Sequence, residues 1–133
     1  MSLSGEKRVK YFQVGDIVAN SDAIKHALWY LPRRIKIAGV KFAVDAAITA
    51  QDSDYNTIAL TDGTNTIASI VTGPAATGDS LSAGVWLAAS TGPVAAYVEQ
   101  AAAATLKLEF TKTGNGLAMS ALAVQIEYYE YDV

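Results

Sequence analysis

A chain of 133 residues, 51% hydrophobic and with a formal charge of −3, is most simply one domain, long enough to bury a core without covalent or metal staples. It has no cysteine, which excludes disulfide frameworks, thiolate zinc sites and thiol nucleophiles. The charge is uneven: residues 1–41 hold eight of the ten basic groups and three acids, a net of +5, whereas residues 42–133 hold two basic groups and ten acids, a net of −8.

The opening MSLSGEKRVK lacks the apolar stretch of a secretion signal, and no apolar run approaches the roughly 18 residues of a membrane span, so a soluble protein without a cleaved leader is expected. Residues 1–4 are given no part in the fold. Residues 10–19 read as a strand broken near Gly15-Asp16, and residues 1–20 form a possible N-terminal arm on a single domain spanning 1–133. Residues 21–31 fit either a helix capped at Ser21 or Asp22 or a strand running into Pro32. Trp29, Tyr30 and the turn that follows so soon favour the strand.

Residues 35–44 form a strand whose apolar parity slips, from Ile35 and Ile37 to Val40, Phe42 and Val44, which predicts a β-bulge at Ala38-Gly39. Residues 55–61 and 66–71 pair across Asp62-Gly63-Thr64-Asn65, and residues 81–88 read as a further strand. The alanine-rich stretch 93–104 could begin a turn or two of helix at its proline. Then comes the clearest alternation. Leu106, Leu108 and Phe110 fall on one face and Lys107, Glu109 and Thr111 on the other; Leu122, Val124, Ile126 and Tyr128 alternate with Ala123, Gln125, Glu127 and Tyr129. The two runs read as a terminal hairpin closed at Thr113-Gly114-Asn115-Gly116. Short strands punctuated by turns, with no βαβ rhythm, point to an all-β, jelly-roll-like antiparallel sandwich.

Motifs for chemistry are sparse. The lone His26 cannot by itself build a multi-histidine metal site and reads as structural or surface-placed. Asp52-Ser53-Asp54-Tyr55-Asn56 opens like a calcium loop, but Thr57 and Gly63 stand where glycine and a bidentate glutamate are needed. A weaker site drawn from Asp45, Asp52, Asp54 and Asp62 is the alternative to a plain solvated loop. Gly114-Asn115-Gly116 lacks the lysine and the following helix of a phosphate loop, and residues 78–84 have the wrong spacing for a nucleophile elbow. Basic residues interleaved with aromatics at 7–12 and 25–36 suggest nucleic acid, against which stands a pI near 5.0. The charge split itself admits two readings, docking of a basic segment on an acidic surface or ordinary faces mixed by the fold.

The run RIKIAGVKFAVDAAITAQDSDYNTIALTDG, followed by TIASIVT, DSLSAGVWLAA and TLKLEFTKTGNGLAMSALAVQIEYY, resembles the small β-sandwich head-decoration and related virion structural proteins of tailed bacteriophages, over about residues 30–131. The resemblance implies a jelly-roll-like subunit, often trimeric, made in the host cytoplasm and carried on the capsid surface. Its partners would be copies of itself and the major capsid protein, with no cofactor, catalysis, nucleic acid or membrane. Interface candidates are Arg8, Lys10, Arg33 and Arg34 in the basic third and the aromatics Trp29, Tyr129 and Tyr131. Trp86 is a further candidate for an aromatic anchor, though on an apolar strand it reads more readily as core. The other function considered is a carbohydrate-binding or adhesive jelly roll of a phage tail or cell surface.

Overall fold

The computed structural model describes Leu3, residues 5–20 and residues 24–131. Among the described residues nine strands, β1 (Arg8–Ile17), β2 (Ile24–Tyr30), β3 (Ile35–Ala43), β4 (Tyr55–Thr61), β5 (Thr66–Val71), β6 (Leu87–Ala88), β7 (Glu99–Gln100), β8 (Thr105–Thr113) and β9 (Met119–Glu130), form two antiparallel sheets. One runs β1-β9-β3, with β6 and β7 sharing the far edge of β3; the other runs β2-β8-β4-β5. Successive strands thus alternate between sheets, except for the β4–β5 hairpin and the short β6 and β7. This is the strand order of a jelly roll.

Inward-facing residues meet as the alternation requires. Ile35, Ile37, Val40 and Phe42 of β3 and Leu122, Val124, Ile126 and Tyr128 of β9 pack against Ile58 and Leu60 of β4, Ile70 of β5 and Leu106, Leu108 and Phe110 of β8. Each of these larger side chains is almost fully buried, worth on the order of 1.5–3 kcal/mol of transfer free energy. The parity slip in β3 is a bulge, with the register against β9 shifting between Ile37 and Gly39. In β1 the break falls at Gly15, whose φ of +104° suits glycine and whose flanks carry two register shifts.

Four expectations need correction. The segment read as a possible arm is, over Arg8–Ile17, an edge strand paired with β9 from Met119 to Tyr128, and Leu3 bridges Tyr131. Residues 81–88 are mostly irregular: Leu81 makes a single bridge to Ile48, Gly84 takes a φ of +68°, and only Leu87–Ala88 is strand. Residues 93–104 supply one 3-10 turn, Ala95–Tyr97, and the two-residue β7, with no α-helix.

The fourth concerns the Gly-Asn-Gly turn, which does not close a hairpin. β8 pairs with β2 and β4, β9 with β1 and β3, so residues 114–118 carry the chain across the roughly 10 Å between stacked sheets. Alternation fixes which face of a strand is buried but is silent on which sheet it joins, so hairpin and crossover look alike in sequence. What holds the crossover is its neighbours. Asp54 Oδ1 accepts from the Asn115 N–H at 2.8 Å, and the buried Asn56 accepts from the Leu117 N–H at 2.9 Å while donating to its carbonyl at 2.7 Å. At Gly114, φ +61°, a Cβ would come within 2.4 Å of the Ser53 carbonyl oxygen.

Candidate interaction surface

Of the aspartates considered for calcium, Asp45, Asp52 and Asp54 lie in the β3–β4 connection and Asp62 in the β4–β5 turn, and three of the four hold backbone. Asp62 Oδ1 accepts from the N–H groups of Thr64 at 2.9 Å and Asn65 at 2.7 Å; Asp52 accepts from Ala75 at 3.0 Å, and Asp54 from Asn115. Burial pushes the Asp62 carboxyl up, yet the donors from Asn65, Thr64 and Gln100 outweigh it and hold it below the ordinary carboxylate range. Among the described residues no cluster of three or more His, Asp or Glu side chains is placed to hold a metal. His26 is exposed on β2, opposite Leu108.

The uneven charge is folded back on itself. Lys7 and Lys41 both meet Glu127 at 3.4 Å, Lys25 meets Glu109 at 2.8 Å, Arg8 meets Glu130 at 4.0 Å, and Arg34 pairs with Glu99. Each pair joins a base from the first 41 residues to an acid from the remainder. Antiparallel pairing of β1 and β3 with β9, and of β2 with β8, brings the basic third against the acidic one.

The sequence-chosen interface residues divide. Arg34 and Tyr131 come together at the end of the five-stranded sheet where β9 finishes, with Tyr129 on the same row of β9; Arg8 lies at that end too, but on the inner row with Tyr128 and Lys10. The Arg34 guanidinium lies 4.5 Å from the centre of the Tyr131 ring, the Tyr131 N–H donates to the Arg34 carbonyl at 3.0 Å, and Glu99 receives both the Arg34 guanidinium and the Tyr131 hydroxyl. That hydroxyl contact pushes the Tyr131 phenol up; the same two donors hold the Glu99 carboxyl down. Tyr129 lies opposite Lys36, and Arg8 opposite Tyr128. Arg33 is exposed in the β2–β3 turn.

Trp29 and Lys10 sit elsewhere. Trp29 is a core residue, 9% exposed, with its ring edge-on to Tyr128 at 4.9 Å and 5.8 Å from Phe12, so it offers no outward anchor. Lys10 faces inward from the edge strand β1, its ammonium 5.1 Å from the Trp29 ring, a cation over an aromatic face where the two sheets part. An inward lysine on an edge strand also discourages unintended strand addition.

The outer face of the same sheet holds Tyr11, which the sequence did not single out, and Trp86. Trp86, expected in the core, is 36% exposed, and Tyr11, 62% exposed, meets it with ring centres 5.7 Å apart and planes tilted 41°. Because β9 and β3 lie between β1 and β6, the two side chains lean toward each other across three inter-strand steps, about 14 Å. Beneath them run the small Ala43 and Ala123, then Gln125 and Lys41, then Glu127 and Val9. Gln125 is buried and donates to Glu127 at 3.3 Å. Burial alone would raise the Glu127 carboxyl; hydrogen bonds and charge from Lys7 and Lys41 bring it below its ordinary value. Gly39 makes room, since a Cβ there would stand 3.0 Å from Glu127 Oε2. Alternation could have flagged Tyr11, which shares the odd positions of β1 with Val9 and Gln13. Trp86 could not be found that way, because it precedes a two-residue strand.

At the opposite end of β9, two shallow hollows of about 260 Å³ each flank Ala118. One is lined by Ile48, Thr49 and Leu117, the other by Ile17, Val18 and Met119. Asp16, the sole carboxylate lining either hollow, accepts from the Ala121 N–H at 2.8 Å. No protein-family model, curated protein or solved structure matches the chain.

Proposed function

We propose that the protein is a non-enzymatic virion structural protein, a capsid decoration protein that binds the outer capsid surface as an oligomer, most simply a trimer. The observation that carries the reading is the stacking of Arg34 on Tyr131 at one end of the five-stranded sheet, with Tyr129 on the same row of β9, an aromatic and guanidinium patch of the composition that anchors protein interfaces. The jelly-roll strand order and the sequence likeness to decoration proteins agree with it. The loop aspartates are engaged with backbone N–H groups, which suits a rigid block that docks without reshaping itself.

Such a protein works by mass action. A ligand that binds only the assembled shell stabilises it by RT ln(1 + [L]/Kd), about 2.7 kcal/mol per site at a hundredfold excess over Kd. Purified protein mixed with undecorated capsids of its virus should pellet with them and raise their disruption temperature, and Arg34→Ala with Tyr131→Ala should weaken that binding. Capsids that pellet bare and melt unchanged would refute the reading. Light scattering should report three chains per particle in solution; a monomer at high concentration would remove the trimer.

A further inference from the structure

The outer face of the five-stranded sheet carries chemistry that docking at the Arg34–Tyr131 end does not use. Two exposed rings, Tyr11 and Trp86, meet beside a floor of alanines; the Gln125 amide and Lys41 share the row of Tyr11, and one two-residue step along the strands, about 7 Å, lies Glu127 with Lys7. Two tilted rings with centres 5.7 Å apart, flanked by amide and charged groups in rows, suit a molecule with apolar C–H faces and hydroxyls at its rim.

Charge narrows the class. Lys7 and Lys41 share the single carboxylate of Glu127, so this trio keeps one net positive charge in a chain of net −3. Burial and the glycine opposite it fix Glu127 in place: its side chain is 17% exposed, while those of Lys7 and Lys41 are 49% and 39% exposed and can reach outward. An anionic occupant is therefore favoured over a neutral one, and over another copy of this acidic chain. We propose that this face binds an acidic oligosaccharide, with Tyr11 and Trp86 stacking on sugar rings and Lys41 and Lys7 meeting a carboxylate or sulfate of the sugar. The inference stands apart from the decoration role and is read out without capsids.

Trp86 reports on the site directly, since the other tryptophan, Trp29, is buried. Titration of the intact protein with tetragalacturonate, sialylated and sulfated oligosaccharides should give a saturable change in tryptophan emission with at least one acidic sugar, weaker with a neutral glucose tetramer and weakened by salt. Tyr11→Ala, read by the same Trp86 emission, should reduce affinity about tenfold, the worth of one aromatic stack. Trp86→Ala should do the same by calorimetry, and Lys41→Met should erase the preference for the acidic sugar over the neutral one. Far-ultraviolet dichroism and melting temperature check that each variant is folded. No saturable response to any acidic sugar at millimolar concentration would overturn the proposal, as would binding indifferent to Tyr11→Ala and Trp86→Ala. So would a drop in oligomeric mass in those two variants, which would show that a second copy covers this face.

Discussion

On the four-stranded sheet the outward positions hold Lys25, Lys107, Glu109, Thr111 and Thr57; on the five-stranded sheet they hold Val9, Tyr11, Gln125, Glu127, Lys41 and Tyr129. Both rows arise from the same alternation and cover the same core. The first mixes lysine and glutamate with threonines, has one exposed ion pair and carries the exposed Tyr30 at its edge. The second presents rings and long side chains beside a cation excess. Strand geometry thus decides that these side chains face out, and nothing in the core decides which ones they are. Surface chemistry on this fold is free to vary between sheets, and the sheet where two exposed rings meet beside a cation excess is the one to read for binding.

If that separation holds, stability should depend on the shared interior and hardly on either outer face. The largest effect is expected at Phe110, fully buried on the inner face of β8 and opposite Ile58 of β4. Phe110→Ala should cost about 3–5 kcal/mol by urea denaturation, the sum of lost transfer free energy and the cavity left behind. Tyr11→Ala should cost less than about 1 kcal/mol in the same assay. Comparable losses at the two positions would mean that the outer aromatic pair is structural and the contrast between faces is wrong.

Next comes the tie between the sheets. Asn56 is wholly buried and holds both polar groups of Leu117, just after the chain leaves β8 for β9. Asn56→Leu keeps the volume but strands the N–H and carbonyl of Leu117, at a cost of about 2–3 kcal/mol. A loss below about 0.5 kcal/mol would show that the crossover is held by its glycines and by Asp54 alone.

How much of this was legible in the sequence follows from which interactions are local. The β4–β5 hairpin, the bulge at Gly39, the break at Gly15 and the inward rows of β8 and β9 follow from period-two alternation and turn chemistry within a few residues. The crossover after β8 does not, because the partners of Asn115 and Leu117 are Asp54 and Asn56, about sixty residues earlier in the chain. Trp29 and Trp86 were exchanged for a similar reason. Trp29 lies at an edge where Phe12 and Tyr128 from the other sheet close over it, and Trp86 on a stretch that Gly84 turns out of regular pairing. At the candidate surface, Tyr129, Tyr131, Arg8 and Arg34 could be named from parity and charge; the stacking of Arg34 on Tyr131 required knowing that β3 begins where β9 ends.

A smaller effect separates the outer faces by pH. The folded-state pKa of Glu127 lies below its ordinary value, so its contribution to stability is present above the ordinary glutamate range and is lost as pH falls through the folded value. Stability of the native protein should therefore decline on acidification below about pH 4.5, and Glu127→Gln should lower stability near pH 7 while flattening that part of the profile. Parallel profiles for native protein and variant would show that Lys7 and Lys41 do not hold the carboxylate in solution.

The smallest effect belongs to the plain face. Lys25 and Glu109 lie directly opposite each other on β2 and β8, 2.8 Å apart, with side chains 63% and 27% exposed. An exposed pair of this kind gains little Coulomb energy in water, costs rotamer freedom and is screened by salt, so a double-mutant cycle with Lys25→Ala and Glu109→Ala should give a coupling of about 0.2–1 kcal/mol that shrinks further in 1 M salt. The Lys41–Glu127 pair is the matched control, with its carboxylate only 17% exposed and shared with Lys7. A lower local dielectric around Glu127 should leave its coupling larger and less sensitive to salt. Equal couplings with equal salt dependence would mean that the two faces differ in composition alone. A larger, salt-resistant coupling at Glu127 would mark the five-stranded face as electrostatically pre-set, with one carboxylate fixed and two ammoniums positioned around it before any partner arrives.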